Sequence, residues 1–152
     1  MADLRDLPLV QASVADSATF GEAVSTLFAA QVPALAILAG ERLVGILSEV
    51  DVLRAVFPGY LAELRHTAFV EDDPAALDER ARAIRDRPVG ELSRTVEVLD
   101  GDDSETHAAE RFLHAGEQAL PVVDENGRFL GMLSISALCH ARLDRAADEE
   151  LS

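Results

Sequence analysis

The chain has a single cysteine, Cys139, and neither tryptophan nor lysine. One cysteine excludes an internal disulfide framework and any multi-cysteine zinc site, and it fits a reducing, cytoplasmic setting. Aromatic residues make up 5% of the 152, so the core must be built from Leu, Val and Ala. Hydrophobic residues make up 49%, too many for a disordered chain. All 13 basic residues are Arg, set against 28 acidic ones, for a net charge of −15. Such a field repels nucleic acid and anionic membranes, making both poor partners, and repels nucleotides unless local Arg or a metal offsets it. Arg without Lys suits phosphate recognition; genome base composition alone produces the same bias. The longest uncharged apolar run, Val32 to Gly40, is too short for membrane insertion. Residues 1–6 are acidic and carry no apolar signal segment.

What is present is organised around Leu43 to Phe57. An apolar strand, Leu43–Leu47, leads to Ser48 in an N-cap position, with Asp51 three residues on and Val50, Leu53, Val56 and Phe57 near helical spacing. A second copy runs from Phe129 to Leu138. Gly45 maps to Gly131 and Ser48 to Ser134, both 86 positions apart, but Asp51 maps to Ala137. Upstream, Val10–Val14 is a weak strand candidate. Thr19 and Glu22 have capping-box spacing for a helix carrying Ala23, Val24, Leu27 and Phe28. Ala108, Ala109, Phe112 and Leu113 repeat that face at an offset of 85, as Ala119–Val123 repeats the strand Ala34–Leu38. Two turns, at Gly40 and Gly127, connect the strands into hairpins. Thr95–Leu99 reads as a strand and Val89–Leu92 as a turn of helix.

The pattern predicts an α/β fold with two repeated helix-strand-strand-helix units, each needing cover for a sheet face, packed together as a pseudo-dimer. The expected division is 1–57 for the first unit, 58–87 for an inserted helical linker, 88–145 for the second unit and 146–152 for an acidic tail. Residues 1–9 read as a loose lead-in, Tyr60–Leu64 as helical, and Glu71–Pro74 as a loop and helix start. Ala75–Arg87 reads as a solvated helix with i,i+4 acid–Arg pairs, and residues after Leu143 as fraying. His66, His107, His114 and His140 lack metal-ligand spacing, and there is no nucleophile elbow, Walker loop or GxGxxG.

The two copies, with Pro88–Ser93 ahead of the second, resemble a tandem pair of cystathionine-β-synthase-type (CBS) motifs, a Bateman module, over roughly residues 10–57 and 88–142. The resemblance implies a sandwich-like α+β pair that regulates rather than catalyses. It implies an adenosine-containing ligand (AMP, ADP, ATP or S-adenosylmethionine) in the cleft between motifs, Mg²⁺ accompanying ATP, and no catalytic cofactor or structural metal. Homodimerisation into a four-motif disc and a separate regulated protein are the implied partners. In the family pattern the Asp of Ser/Thr-x-x-Asp takes the ribose hydroxyls. Carried over, Ser48 and Asp51 face Thr95, Val96, Ala119, Leu120 and Pro121. Arg54 and Arg94 are the nearest cations for phosphates that would lie near a helix N-terminus. The mirror site uses Ser134 with Ala34 and Leu35, where Ala137 replaces the acid. A hydrogen bond to a charged group contributes about 1.5–3 kcal/mol, so losing it weakens binding ~10- to 150-fold. One competent and one weak site are expected. Two simpler readings stand beside this one. Ser48-x-x-Asp51 is also an ordinary capping box, and the pair could be a ligand-independent dimerisation or interaction scaffold.

Overall fold

The structure, a computed structural model, describes residues 3–57 and 74–151. The expected elements at Tyr60–Leu64 and Glu71–Asp73 lie outside those residues. Strands β1 (Ser13–Ala15), β2 (Ala34–Ala39) and β3 (Arg42–Ser48) form one sheet, with helices α1 (Phe20–Ala30) and α2 (Glu49–Val56). Helix α3 (Pro74–Arg85) follows. Strands β4 (Leu99–Asp100), β5 (Ala119–Val123) and β6 (Phe129–Ser134) form the second sheet, with helices α4 (Glu105–Ala115) and α5 (Ile135–Leu151). In each sheet the first two strands are parallel and the last two antiparallel. The repeat extends to detail: Val14 pairs with Ile37 as Leu99 pairs with Val122. The hairpin register also slips at equivalent points, Ile37/Leu38 and Val122/Val123.

The helices begin where local chemistry directs. Thr19 and Glu22 close a capping box on α1, each bond 3.1 Å. Ser48 caps α2, Ser104 caps α4, and the Ser134 hydroxyl accepts from the Ala137 amide at the start of α5. Both expected turns place glycine at positive φ, Gly40 at 66° and Gly127 at 79°.

The two units exchange their leading segments. Residues 1–9 are not loose where described: Leu4–Asp6 form a 3₁₀ turn, and Leu4 and Leu7 are buried in the second unit's core. A lone Leu-x-x-Leu is too short to show a period. Leu4 N–H donates to the Asp103 carbonyl and Arg5 N–H to Gly101. Reciprocally, Val89 N–H donates to Ala18 and Gly90 N–H to Asp16, at the same offset of 85. Further on, Val10 bridges Met132 and Arg94 bridges Ile46. At the pseudo-two-fold axis the equivalent residues Arg42 and Arg128 bridge each other.

This exchange corrects two strand expectations. Val10 and Arg94 spend their hydrogen bonds on the other unit's outer strand, so pairing within the home sheet starts late, at Ser13 and at Leu99 rather than Thr95. It also explains the repeated glycine. A Cβ on Gly45 would lie 2.9 Å from the Arg94 carbonyl, and one on Gly131 would lie 2.6 Å from Leu9 Cβ.

Two helices also depart from expectation. α3 makes no internal acid–Arg pair; Arg80 Nε donates to the Ala55 carbonyl, and Ile84 packs on the first core. α5 does not fray after Leu143 but runs to Leu151, held back to α4 by Arg145 and Arg142 on Glu105. Among the described residues no helix is long and apolar enough to cross a membrane.

Because Leu4 is fully buried in the other unit's core, Leu4→Ala should lower the unfolding free energy by about 2–5 kcal/mol. Urea denaturation checks this; a loss indistinguishable from that of an exposed-site control would refute the exchanged packing.

Candidate functional site

Strand β3 ends in the buried Ser48, and α2 leaves at once, so the first turn of α2 sits at the seam between units. Opposite it lie Arg94, placed by its bridge to Ile46, and the Gly116–Gln118 connection between α4 and β5. Between these walls is a cleft of about 460 Å³ with Pro33 and Ala34 at its base.

Its centre is an ionic relay. Asp51 Oδ2 accepts from the Ser48 amide at 2.9 Å and the Ser48 hydroxyl at 2.8 Å. Arg94 Nε donates to Oδ1 and Oδ2 at 3.0 and 2.9 Å, and Arg94 Nη1 pairs with Glu117 Oε1 at 2.5 Å. Asp51 and Glu117 are largely buried, with side chains 17% and 13% exposed, whereas Arg94 is 39% exposed. Burial pushes the Asp51 carboxyl up, but the Ser48 amide and hydroxyl and then Arg94 outweigh it and hold it below its usual value. The bond to Glu117 leads the effects that hold Arg94 more firmly protonated. The capping-box and ligand readings of Asp51 are therefore compatible. One carboxylate closes the cap and faces the cleft.

Of the residues singled out in sequence, Ser48, Asp51, Arg54 and Arg94 line this cleft together. Arg54 has no ion-pair partner among the described residues. Ala119, Leu120 and Pro121 do not line it: they are fully buried in β5, the middle strand of its sheet. Thr95 is exposed beyond the cleft, and Val96 packs against both cores. In the first turn of α2, Glu49 N–H donates to the Pro33 carbonyl and Asp51 N–H to the Ser48 hydroxyl, and Arg54 and Arg94 are the cations in the cleft lining.

The mirror recess is about 400 Å³, lined by Gln31–Pro33, Gln118 and Ser134–Ser136. Ser134 faces it, but Ala137 packs on the second core, Leu35 is fully buried, and Ala34 lines the Asp51 cleft instead. The Ser134 hydroxyl pairs with Ser136 at 3.2 Å. Sequence reasoning missed Glu117, Gln118 and Ser136. The 85-residue offset carried the signal for Glu117, because it maps to Val32. A larger groove of about 670 Å³ between α4 and α5 includes Glu105 and Arg142, whose ion pair holds the two helices together.

Because the Asp51 carboxyl is held below its usual 3.8, its ionised form stabilises the fold. That contribution is complete above the unfolded value and is lost as pH falls through the folded one. Asp51→Asn should therefore cost stability at neutral pH, and the gap to wild type should narrow as pH falls below the usual carboxylate range. Urea midpoints across that range check this; a constant gap would rule the carboxylate out as the stabilising group.

Comparison with known proteins agrees with this fold. The family model described as CBS domain matches residues 4–58 and again 89–144. No curated protein matches the sequence. Among solved structures, CBSX2 in complex with AMP is similar at 20% identity and TM-score 0.70, covering 96% of this chain and 99% of that one. The CBS-pair protein CBSX2 from Arabidopsis thaliana gives 20% identity and TM-score 0.74, covering 96% and 97%. PAE2072 from Pyrobaculum aerophilum complexed with AMP gives 23% and 0.65, covering 90% of each chain.

Proposed function

The chain belongs to the CBS-domain family, carrying two copies of the domain, and from that premise we propose that it is a cytoplasmic regulatory pair. It binds an adenosine-containing nucleotide in the Asp51 cleft and passes the signal to a separate protein, without catalysing a reaction. The observation that carries the reading is the Asp51 carboxylate, fixed by Ser48 at the seam of the two units and facing a cleft of about 460 Å³, a volume in the range of small-molecule sites. A carboxylate can accept from two neighbouring ribose hydroxyls; Ala137, at the mirror position, can accept none. Similar folds in CBSX2 and PAE2072 hold AMP, which supports the ligand class.

Homodimerisation belongs to the same proposal. Phe28 on α1 and Leu113 on α4 are equivalent in the repeat, and each is 86% exposed. Two large apolar groups presented in matching places suit a two-fold partner, a second copy of this chain. Light scattering should report a dimer at micromolar protein, and Phe28→Glu with Leu113→Glu should yield monomer. A monomeric wild type would refute this part.

Calorimetry with AMP, ADP, ATP with and without Mg²⁺, and S-adenosylmethionine tests the binding. Asp51→Ala should weaken affinity ~10-fold or more, while Ser134→Ala and Ser136→Ala should change it less than ~2-fold. No heat and no thermal shift at millimolar ligand would overturn the nucleotide reading and leave the dimerising scaffold. Equal losses at both recesses would overturn the asymmetry.

A further inference from the structure

We infer that Arg94 makes the Asp51 cleft selective for phosphate-bearing nucleosides over uncharged nucleosides and sulfonium ligands, because a ligand must displace this guanidinium from Asp51 and then satisfy it. The inference rests on the nucleotide reading above and narrows its ligand class. A carboxylate offers about four acceptor positions. Asp51 Oδ2 takes the Ser48 amide and the Ser48 hydroxyl, and the single Arg94 Nε–H is shared between Oδ2 and Oδ1. Both Ser48 contacts complete the α2 cap and stay. That leaves Oδ1, where a ribose diol can place both hydroxyls only by taking the position that Arg94 Nε–H now shares.

Arg94 is built to move. Its backbone is pinned to Ile46 on both sides, by N–H and by carbonyl, but its side chain is 39% exposed and is tethered at its far end to Glu117. Leaving Asp51 strands one face of the guanidinium in the cleft, with Glu117 as its remaining anion. A phosphate restores the lost partner with bidentate geometry, and Arg54, in the same wall, adds a second cation. Adenosine offers no anion. S-adenosylmethionine has one carboxylate, but its sulfonium and ammonium make it a net cation, so it compensates Arg94 less than a phosphate does, and adenosine does not compensate it at all.

The mirror recess shows that the parts form a set. The positions equivalent to Asp51, Arg94 and Glu117 in the other unit are Ala137, Val10 and Val32, of which Val32 lines the mirror recess, and Val10 bridges Met132 as Arg94 bridges Ile46. All three ionic groups are present on one side and all three are missing on the other. A surface ion pair of no consequence would not be replaced together with both its partners.

Calorimetry on the full-length chain with AMP, adenosine and S-adenosylmethionine decides the matter. Wild type should bind AMP ~10-fold or more tighter than either other ligand. In Arg94→Gln the AMP-to-adenosine ratio should fall to within ~2-fold, mainly because adenosine binds better once no cation must be displaced. Arg94→Lys, a point charge without the fork, should fall between. Glu117→Gln leaves Asp51 and Arg94 in place and should raise the AMP preference, since a displaced Arg94 then has no anion but the phosphate, which covers the case of a misfolded Arg94 variant. An unchanged ratio in Arg94→Gln, or equal losses for both ligands, would overturn the inference and leave the nucleotide reading standing. No binding by wild type to any of the three would overturn both.

Discussion

The reciprocal exchange of leading segments is the constraint on which the rest of this molecule depends. Each unit completes the other: Leu4 and Leu7 fill the second core, and Val89 fills the first. The crossing requires backbone to pass against strand at Gly45 and Gly131, where any side chain would collide. Neither unit can then bury its apolar face alone, and the seam between them is fixed by hydrogen-bonded backbone instead of by side-chain contact only.

That seam creates the Asp51 cleft. Arg94 reaches Asp51 because its own backbone is bonded to Ile46, two residues before Ser48. Glu117 reaches Arg94 because α4 ends at Ala115 and the chain turns at Gly116, with φ of 69°, before entering β5. The ionic relay thus reports the relative placement of both units. A ligand that exchanges with Arg94 acts on a residue whose neighbours belong to the first sheet and whose chain leads into the second. Such coupling is what a sensing module requires, since a ligand shifts an equilibrium only by what it contacts differently in two states.

The repeat gave the fold away early. Apolar spacing at an offset of 85 to 86 residues identified both hairpins, four of the five described helices and their caps, because those features are local and periodic. The failures have one cause. Leu4–Asp6, the late start of β4 at Leu99 and the persistence of α5 to Leu151 are all set by contacts with elements remote in sequence. The site divided in the same way. Ser48, Asp51, Arg54 and Arg94 were legible; Glu117 and Ser136 were not singled out. Ala119 to Pro121, expected at the cleft, lie within the sheet because β5 is its central strand.

The sequence alone determined that there are two units, where each hairpin turns and each helix starts, and that Asp51 has no acidic counterpart at Ala137. Hydrophobic period, turn glycines and capping residues are encoded within a few positions, so they can be read without coordinates. Only the tertiary structure decided that the units exchange their leading segments, that Arg94 occupies the Asp51 carboxylate, and that Glu117 holds it there. Those contacts join residues 43 and 23 positions apart, and no local pattern specifies which distant charge will be brought within 3 Å of another.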